Sequence, residues 1–242
     1  MTKVVVLPLP LLLLLPLALA GAAAARSPAP LPDLDQATPF GLSVVARDGR
    51  LLLVFGSAVE NIGRGPLVVE GRRAGRTMRA WQVVGARRHA LHTRLRYVRS
   101  ETHRHWHLLG FERYELRRAG GGALVASDRK TGFCLNDAYE TRALNRVPAW
   151  TGECGRGRAA ARFIREGISP GFGDDYVPAK EGQYVDVTHV AQGRYVLVHR
   201  ANAERELRES SHANNAASVL LELRGLRVRV IARCPRTASC GT

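Results

Sequence analysis

Three histidines at two-residue spacing are the side chains of this sequence best suited to chemistry. They are His103, His105 and His107, within the segment Glu101-Thr-His-Arg-His-Trp-His-Leu-Leu-Gly110. On a β-strand such positions share one face at intervals of about 6.6–7 Å, so two imidazoles can converge on one ion and a bend can bring in the third. Imidazole ligands without a nearby thiolate suit Cu(II) or Zn(II), and Cu(II) accepts tetragonal sites. The pattern predicts a metal site; the alternative is a polar strand face without ligands.

Other candidates for chemistry are few. Of the 36 basic residues only three are lysines, Lys3, Lys130 and Lys180, so a reaction that needs an amine has little choice. The remaining histidines stand alone in the sequence, and each is interpreted as a surface residue or a hydrogen-bonded core residue: His89, His92, His189, His199 and His212.

The composition is that of a globular protein. The chain has 242 residues, 45% of them hydrophobic and 24% charged, and its mean hydropathy is -0.13. These values exclude a disordered, collagen-like or multi-span membrane chain and predict one domain of roughly 200 residues. The net charge is +15, but the 33 arginines are scattered with acids between them and without interleaved aromatics. We therefore expect no specific nucleic-acid partner.

The first residues resemble an export signal. Lys3 is followed by an apolar run from Val4 to Ala20 and then by small residues, which is typical of a secretory signal peptide. An uncleaved membrane anchor is the alternative, although three prolines would interrupt its helix. We expect a secreted, extracellular or cell-envelope protein with no stable membrane insertion after cleavage. The predicted divisions are a signal peptide over 1–25, a proline-rich linker over 26–36 and a catalytic domain with a cysteine-containing tail over 37–242.

Export makes disulfides the default state of the four cysteines. Cys134, Cys154, Cys234 and Cys240 allow three pairings, and proximity favours Cys134 with Cys154 and Cys234 with Cys240. No pair has the spacing C-x-x-C, so a zinc knuckle or a thioredoxin-like motif is not expected. Sequence alone leaves the pairing open.

The body of the chain reads as β-structure. Short runs rich in valine and leucine alternate with turn residues, and Asp48-Gly49 has the chemistry of a hairpin turn. A short helix is expected between Ala159 and Arg165. The fold class is predicted to be mainly β: a β-sandwich core with long loops and one or two short helices. The predicted strands are 40–46, 51–58, 66–70, 183–188, 193–199 and 217–224.

Further motifs follow the histidines in order. They are Lys130-Thr-Gly-Phe-Cys134-Leu, Gly167-Ile-Ser-Pro-Gly171, Asp174-Asp-Tyr176, Gln183-Tyr-Val-Asp-Val-Thr188, Gly193-Arg-Tyr195 and Glu209-Ser-Ser-His-Ala-Asn214-Asn215. In this order the set resembles the catalytic domain of lysyl oxidases, over about residues 37–225. The resemblance implies a secreted copper-dependent amine oxidase in which the three clustered histidines ligate copper.

The resemblance also implies a cofactor made from the protein's own side chains. Lys130, ahead of Phe-Cys-Leu, would join Tyr176 of Asp-Asp-Tyr to form lysine tyrosylquinone, because bound Cu(II) and O2 would oxidise the ring and the lysine amine would add to it. The implied enzyme oxidises primary amines, peptidyl-lysine or similar, to aldehydes and releases ammonia and hydrogen peroxide. Asp174 and Asp175 are the candidates for the general base that takes the substrate's α-proton.

The sequence departs from the family at two positions, and it leaves two other classes of function open. Phe172 and Gly182 stand where animal lysyl oxidases carry cysteines near the quinone tyrosine, which leaves at most two disulfides. The first alternative is a non-catalytic extracellular β-sandwich that binds copper or zinc. The second is a module whose arginines bind an anionic cell-wall polymer or nucleic acid.

Overall fold

The computed structural model describes residues 1–2, 27–100, 103–120, 122–128, 132–142, 145–178, 180 and 182–241. The expected signal peptide falls almost wholly on residues 3–26, and both this segment and Lys130 lie outside the described residues. Within the described ranges, no helix has the length and apolar character needed to cross a membrane.

Sixteen strands are described, and they account for almost all of the regular structure. They are β1 Leu34–Gln36, β2 Phe40–Arg47, β3 Arg50–Asn61, β4 Leu67–Ala74, β5 Thr77–Val84, β6 Arg87–Tyr97, β7 Trp106–Leu108, β8 Glu112–Arg118, β9 Leu124–Asp128, β10 Tyr139–Glu140, β11 Phe163–Ile168, β12 Phe172–Tyr176, β13 Tyr184–Asp186, β14 Gly193–Ala201, β15 Ala216–Arg224 and β16 Arg227–Cys234. The mainly β prediction is confirmed, and all six predicted strands overlap strands of the structure.

The strands form three antiparallel sheets. The first has the order β1-β3-β12-β10, and β2 and β13 also pair with β3. The second has the order β11-β4-β5-β6-β7, and the third β16-β15-β14-β8-β9. The strand β3 is long enough to serve both halves of the first sheet, because its twelve residues pair with β2 and β13 near one end and with β1 and β12 near the other.

Two clusters of buried apolar side chains lie between the sheets. One joins the first and second sheets and includes Val59 and Tyr176 together with Leu67 and Met78. The other joins the first and third sheets, and Phe55 of β3 packs there edge-on to Tyr114 with ring centroids 4.8 Å apart. Burial of these side chains supplies the main driving force for packing the sheets together.

The hairpin predicted at Asp48-Gly49 is confirmed. Arg47 pairs with Arg50, and the two turn residues have φ of 50° and 73°. Positive φ at both central positions is the requirement of the type I′ turn that matches the twist of antiparallel strands. The turn fixes the register of β2 on β3.

The short helix expected between Ala159 and Arg165 is wrong. Phe163–Ile168 is strand β11, in which Ile164, Glu166 and Ile168 are buried while Phe163 and Arg165 are exposed. The helical element found among the described residues is a 3₁₀ turn at Glu153–Gly155. A short apolar window is compatible with either a helical or a strand period. Antiparallel pairing with β4 over six residues decides for the strand.

Both disulfides favoured by proximity are present. Cys134 is bonded to Cys154, and Cys234 to Cys240. The first pair ties the segment after β9 to the 3₁₀ turn, and the second closes the end of the chain over β14, where Cys240 packs on Val198.

Candidate active site

The three histidines at two-residue spacing converge. Their ring centroids lie 4.7–5.5 Å apart, and one potential ligand nitrogen from each lies within 4.8 Å of the other two. His103, His105 and His107 are all buried, with exposed fractions of 3–6%. The arrangement brings three imidazoles close enough together that they could hold one metal ion.

His107 lies in β7 and His105 directly before it, on either side of Trp106. Trp106 lies between them in β7 and points the opposite way, into the core, where it is fully buried and packs edge-on to Tyr97 at 5.6 Å. Its Nε1–H donates to the Arg158 carbonyl oxygen at 3.1 Å. His103 lies before the strand, and its backbone N–H donates to the Ser100 hydroxyl at 3.1 Å. A bend ahead of β7 therefore brings the third imidazole to the other two.

The His105 ring is prepared to be a ligand. Both its nitrogens are buried, and neither has a hydrogen-bond partner among the described residues. Burial, followed by the nearby Arg156 guanidinium, lowers the pKa of His105 to about 4. The imidazole is therefore neutral at physiological pH, and its lone pair is available to a metal ion.

Tyr176 is held at the end of β12 by the chain around Cys134. Its hydroxyl accepts the Cys134 backbone N–H at 3.2 Å and donates to the Cys134 carbonyl oxygen at 3.3 Å. Its ring packs against Phe133 at a centroid distance of 4.3 Å. Burial, followed by the charge of Asp174, raises the pKa of the phenol well above its usual range. The ring is thus a neutral phenol in a fixed position.

One short segment separates the histidines from Tyr176. Gly132 lies against β7 so closely that a Cβ placed on it would be 2.6 Å from the Cβ of His107. Phe133 exchanges backbone hydrogen bonds with Leu108, at 2.8 Å and 3.0 Å. The same Phe133 and the next residue contact Tyr176, so residues 132–134 join the two parts of the site. Lys130, two residues earlier in the sequence, lies outside the described residues.

The two aspartates beside Tyr176 differ in position. Asp174 is 4% exposed and shares the face of β12 with Tyr176, whereas Asp175 is exposed on the other face. Of the two candidates for a general base, the structure brings Asp174 to the tyrosine and leaves Asp175 in solvent. Lys180 is exposed, and its Nζ lies 5.8 Å from the centre of the Tyr176 ring.

A second carboxyl group near Tyr176 was missed by the sequence analysis. Glu166 in β11 is 2% exposed, and neither of its carboxyl oxygens has a hydrogen-bond partner among the described residues. Burial, followed by the charge of Asp174, raises its pKa well above the usual range of a glutamate. In the sequence, Glu166 lies two residues after Ile164 and two residues before Ile168. This spacing would place it on the same buried face of a strand as the two isoleucines.

We expect Glu166→Gln to flatten the dependence of stability on pH. The buried carboxyl keeps its proton in the folded protein, whereas the unfolded chain loses it above the ordinary pKa of 4.5. Stability of the wild type therefore falls as pH rises above that value, by at most about 1.4 kcal/mol per pH unit for one proton, until Glu166 ionises in the folded state. Urea unfolding measured between about pH 5 and about pH 8 checks this slope. Equal slopes in the two proteins would contradict the assignment.

His199 is a hydrogen-bonded core residue. It is fully buried, its Nε2 lies 2.6 Å from the Glu112 carboxylate, and its Nδ1 lies 2.8 Å from the Gln36 amide nitrogen. The Tyr114 hydroxyl donates to the same carboxylate at 2.9 Å. This network satisfies polar groups in the protein interior. Its members are distant in the sequence, and no local pattern marks them as partners.

The fold and the site together define an antiparallel β protein in which three clustered histidines that could hold a metal ion are joined to a buried tyrosine by residues 132–134. The lysyl oxidase family model matches residues 43–234. Lysyl oxidase homolog 3A of Danio rerio is 29% identical over 183 residues, which cover 74% of this chain and 20% of that protein. The chain belongs to the lysyl oxidase family, as the order of its motifs indicated.

Other relatives match over shorter stretches. Lysyl oxidase homolog 4 of Homo sapiens is 31% identical over 133 residues, covering 54% of this chain and 16% of that protein. Protein-lysine 6-oxidase of Rattus norvegicus is 31% identical over 114 residues, covering 47% of this chain and 25% of that protein. The chain thus spans a quarter or less of the length of these three relatives.

Proposed function

We propose that this protein is a secreted, copper-dependent amine oxidase whose cofactor, lysine tyrosylquinone, forms from Lys130 and Tyr176. The observation that carries the proposal is the segment 132–134, which contacts His107 on one side and Tyr176 on the other. A metal ion held by the histidines would lie close to the ring that it must help to oxidise. Lys130 precedes this segment by two residues in the sequence.

The donor set fits copper. Three imidazoles with no thiolate among them are ligands that Cu(II) accepts, and the unpartnered ring nitrogens of His105 are otherwise a cost in a buried site. In the proposal His103, His105 and His107 hold the ion. The backbone of Cys134 holds the hydroxyl of Tyr176, and the disulfide to Cys154 limits the motion of that backbone.

When present, the copper and the quinone would provide the electron sink by which a primary amine and water become an aldehyde and ammonia, while O2 is reduced to hydrogen peroxide. The chain supplies the proton transfers. Asp174 shares one face of strand β12 with Tyr176 and is our candidate for the base that accepts the substrate's α-proton. Glu166, which burial keeps protonated, lies close enough to Asp174 to interact with it. A carboxyl group that keeps its proton beside Asp174 leaves Asp174 as the carboxyl group that we propose for the base.

The substrate class that we propose is a primary amine, peptidyl-lysine or similar, with O2 as the second substrate. A site of action outside the cell is supported by two disulfides, which persist in oxidising compartments. We also propose that residues 1–25 are removed on export and that 37–242 is the catalytic domain.

The test uses the full chain, secreted from cells grown with copper or with a copper chelator. We expect amine-dependent hydrogen peroxide release from the copper-grown protein, with a primary alkylamine and with a lysine peptide. We also expect phenylhydrazine, which captures quinone carbonyls, to label the peptide that contains Tyr176. Protein grown with chelator should show neither result.

A different outcome supports the alternative function. Metal bound at one ion per chain, without peroxide release and without a phenylhydrazine adduct, would contradict the oxidase proposal. The protein would then be a non-catalytic metal-binding member of its family. Phe172, which packs in the core at the start of β12, and Gly182 would be the first positions to examine, because they replace the cysteines of animal relatives.

A further inference from the structure

The outer face of the second sheet carries arginines that the sequence analysis took to be scattered. Along β4, β5, β6 and β11 the side chains alternate, and Met78, Leu95 and Ile164 point into the core. The intervening positions point outward. Those on which this inference rests are exposed, and we call them the arginine face: Arg72, Arg79, Arg94 and Arg96.

Strand pairing sets three of these arginines in one row. Arg72 lies directly opposite Arg79, and Arg79 directly opposite Arg94. Neighbouring strands are about 4.8 Å apart, so three guanidinium groups extend from adjacent strands in register. Arg96 follows two residues after Arg94 on the same face. Like charges directly opposite each other destabilise a sheet, so this row is a cost to the folded protein by itself.

Acids do not neutralise the row. Glu70 lies on the same face, but it is paired with Arg88 at 2.8 Å and lies 3.6 Å from Arg165. Arg72 stacks on the exposed Phe163 ring at 5.6 Å. Within the parts of the chain that the structure describes, the four members of the arginine face form no ion pair. Their charge is therefore available to a partner.

We propose that the arginine face binds an extended anionic polysaccharide, through its sulfate or carboxylate groups. Guanidinium pairs with such groups through two parallel hydrogen bonds, and a row of them matches a polymer with regularly repeated charges. Two disulfides are typical of proteins in oxidising compartments outside the cytosol, where such polymers occur. Single-stranded nucleic acid fits less well because binding it without sequence preference uses open aromatic rings on which successive bases stack. Arg72 already stacks on one face of the exposed Phe163 ring, and Trp81 is half-buried.

The arginine face reaches the strand that carries His107, so a polymer bound there would lie near the candidate site. Arg96 lies opposite His107 in the pairing of β6 with β7, so the arginine face ends at the histidine strand. A bound polyanion would offset the positive field of a chain with a net charge of +15, which otherwise repels cationic amines. The inference does not depend on the oxidase proposal, because the face would bind whether or not the quinone forms.

The test compares two triple variants of the full chain with equal charge. Arg72→Gln/Arg79→Gln/Arg94→Gln removes the row, and the control Arg47→Gln/Arg194→Gln/Arg227→Gln removes three exposed arginines elsewhere. Binding of heparin, a sulfated polysaccharide, and polygalacturonate, a carboxylated one, is measured by fluorescence anisotropy over a range of salt concentrations. A single-stranded DNA oligonucleotide of similar charge is the third probe.

We expect the wild type and the control variant to bind at least one polysaccharide with a steep dependence on salt. The row variant should lose about three units of the slope of log K against log salt, roughly one per arginine. Because the row is repulsive, that variant should unfold at the same or a higher denaturant concentration than the control. Arg79→Gln alone, which removes the middle of the row, is the fallback if the triple variant does not fold.

Three results would overturn the proposal. They are an equal loss of binding in both triple variants, which would indicate net charge alone, no polysaccharide binding by the wild type, and tighter binding of the oligonucleotide than of either polysaccharide. Each is measured independently of amine oxidation, so failure here is distinguishable from failure of the oxidase proposal.

Discussion

Lys130→Arg is expected to reduce amine oxidation by more than about a thousandfold, the scale seen when a reacting group is removed from an enzyme. Arginine keeps the positive charge, but its guanidinium stays protonated in proteins and cannot add to an oxidised ring as a neutral amine. The variant should therefore lack both the visible quinone band and the peptide that joins residue 130 to Tyr176. Intact mass, visible spectroscopy and peptide mapping of the copper-grown protein measure these losses.

Lys180→Arg is the matched control. The sequence has one other lysine beyond the expected signal peptide, and its Nζ lies 5.8 Å from the centre of the Tyr176 ring. This variant should keep the band, the cross-linked peptide and the activity. If Lys180→Arg loses the band and the cross-linked peptide while Lys130→Arg keeps them, then Lys180 and not Lys130 forms the cofactor, and our assignment is wrong. If both variants keep the band, no lysine contributes to it.

His105→Ala is expected to remove the metal and, with it, the cofactor. His105 is buried beside both other histidines, its ring nitrogens have no hydrogen-bond partner among the described residues, and it is neutral at physiological pH. Removing one of three ligands leaves two imidazoles, which bind far more weakly at the same concentration. We expect copper to fall from about one ion per chain to less than about 0.1, the quinone band to be absent, and the activity to drop to background.

The exposed His189 provides the control for this variant. His189→Ala removes an imidazole from the surface and should leave copper content, spectrum and activity unchanged. Copper content is measured by elemental mass spectrometry, and circular dichroism tests whether both variants fold. Retention of one copper per chain in a folded His105→Ala protein would contradict the three-histidine site.

Local patterns in the sequence predicted the features that depend on neighbours in the chain. Two-residue spacing placed the histidines together, the positive φ preference of Asp48-Gly49 gave the hairpin, and proximity favoured the two disulfides that the structure contains. The helix expected between Ala159 and Arg165 failed because a short apolar window fits both periods until a partner strand decides.

Features that depend on pairing between distant strands could not be predicted. Glu166 is recognisable as a buried carboxyl only when β11 is known to pair with β4. His199 meets Glu112 across the pairing of β14 with β8, 87 residues apart in sequence. The arginine row likewise exists only in the register of three strands. Register is set by packing and turn geometry, and so the charges of a sheet face cannot be read from composition.

The strand β3 has a consequence for how the molecule could be divided. It sends Phe55 into one apolar cluster and Val59 into the other, and it is the shared neighbour of β1, β2, β12 and β13. Removing the strands that pair with either end of β3 would leave backbone groups of β3 unpaired and expose the apolar side chains that it contributes to one of the two clusters. We therefore expect that neither apolar cluster folds without the other, and that grafting the site onto another scaffold would require both clusters.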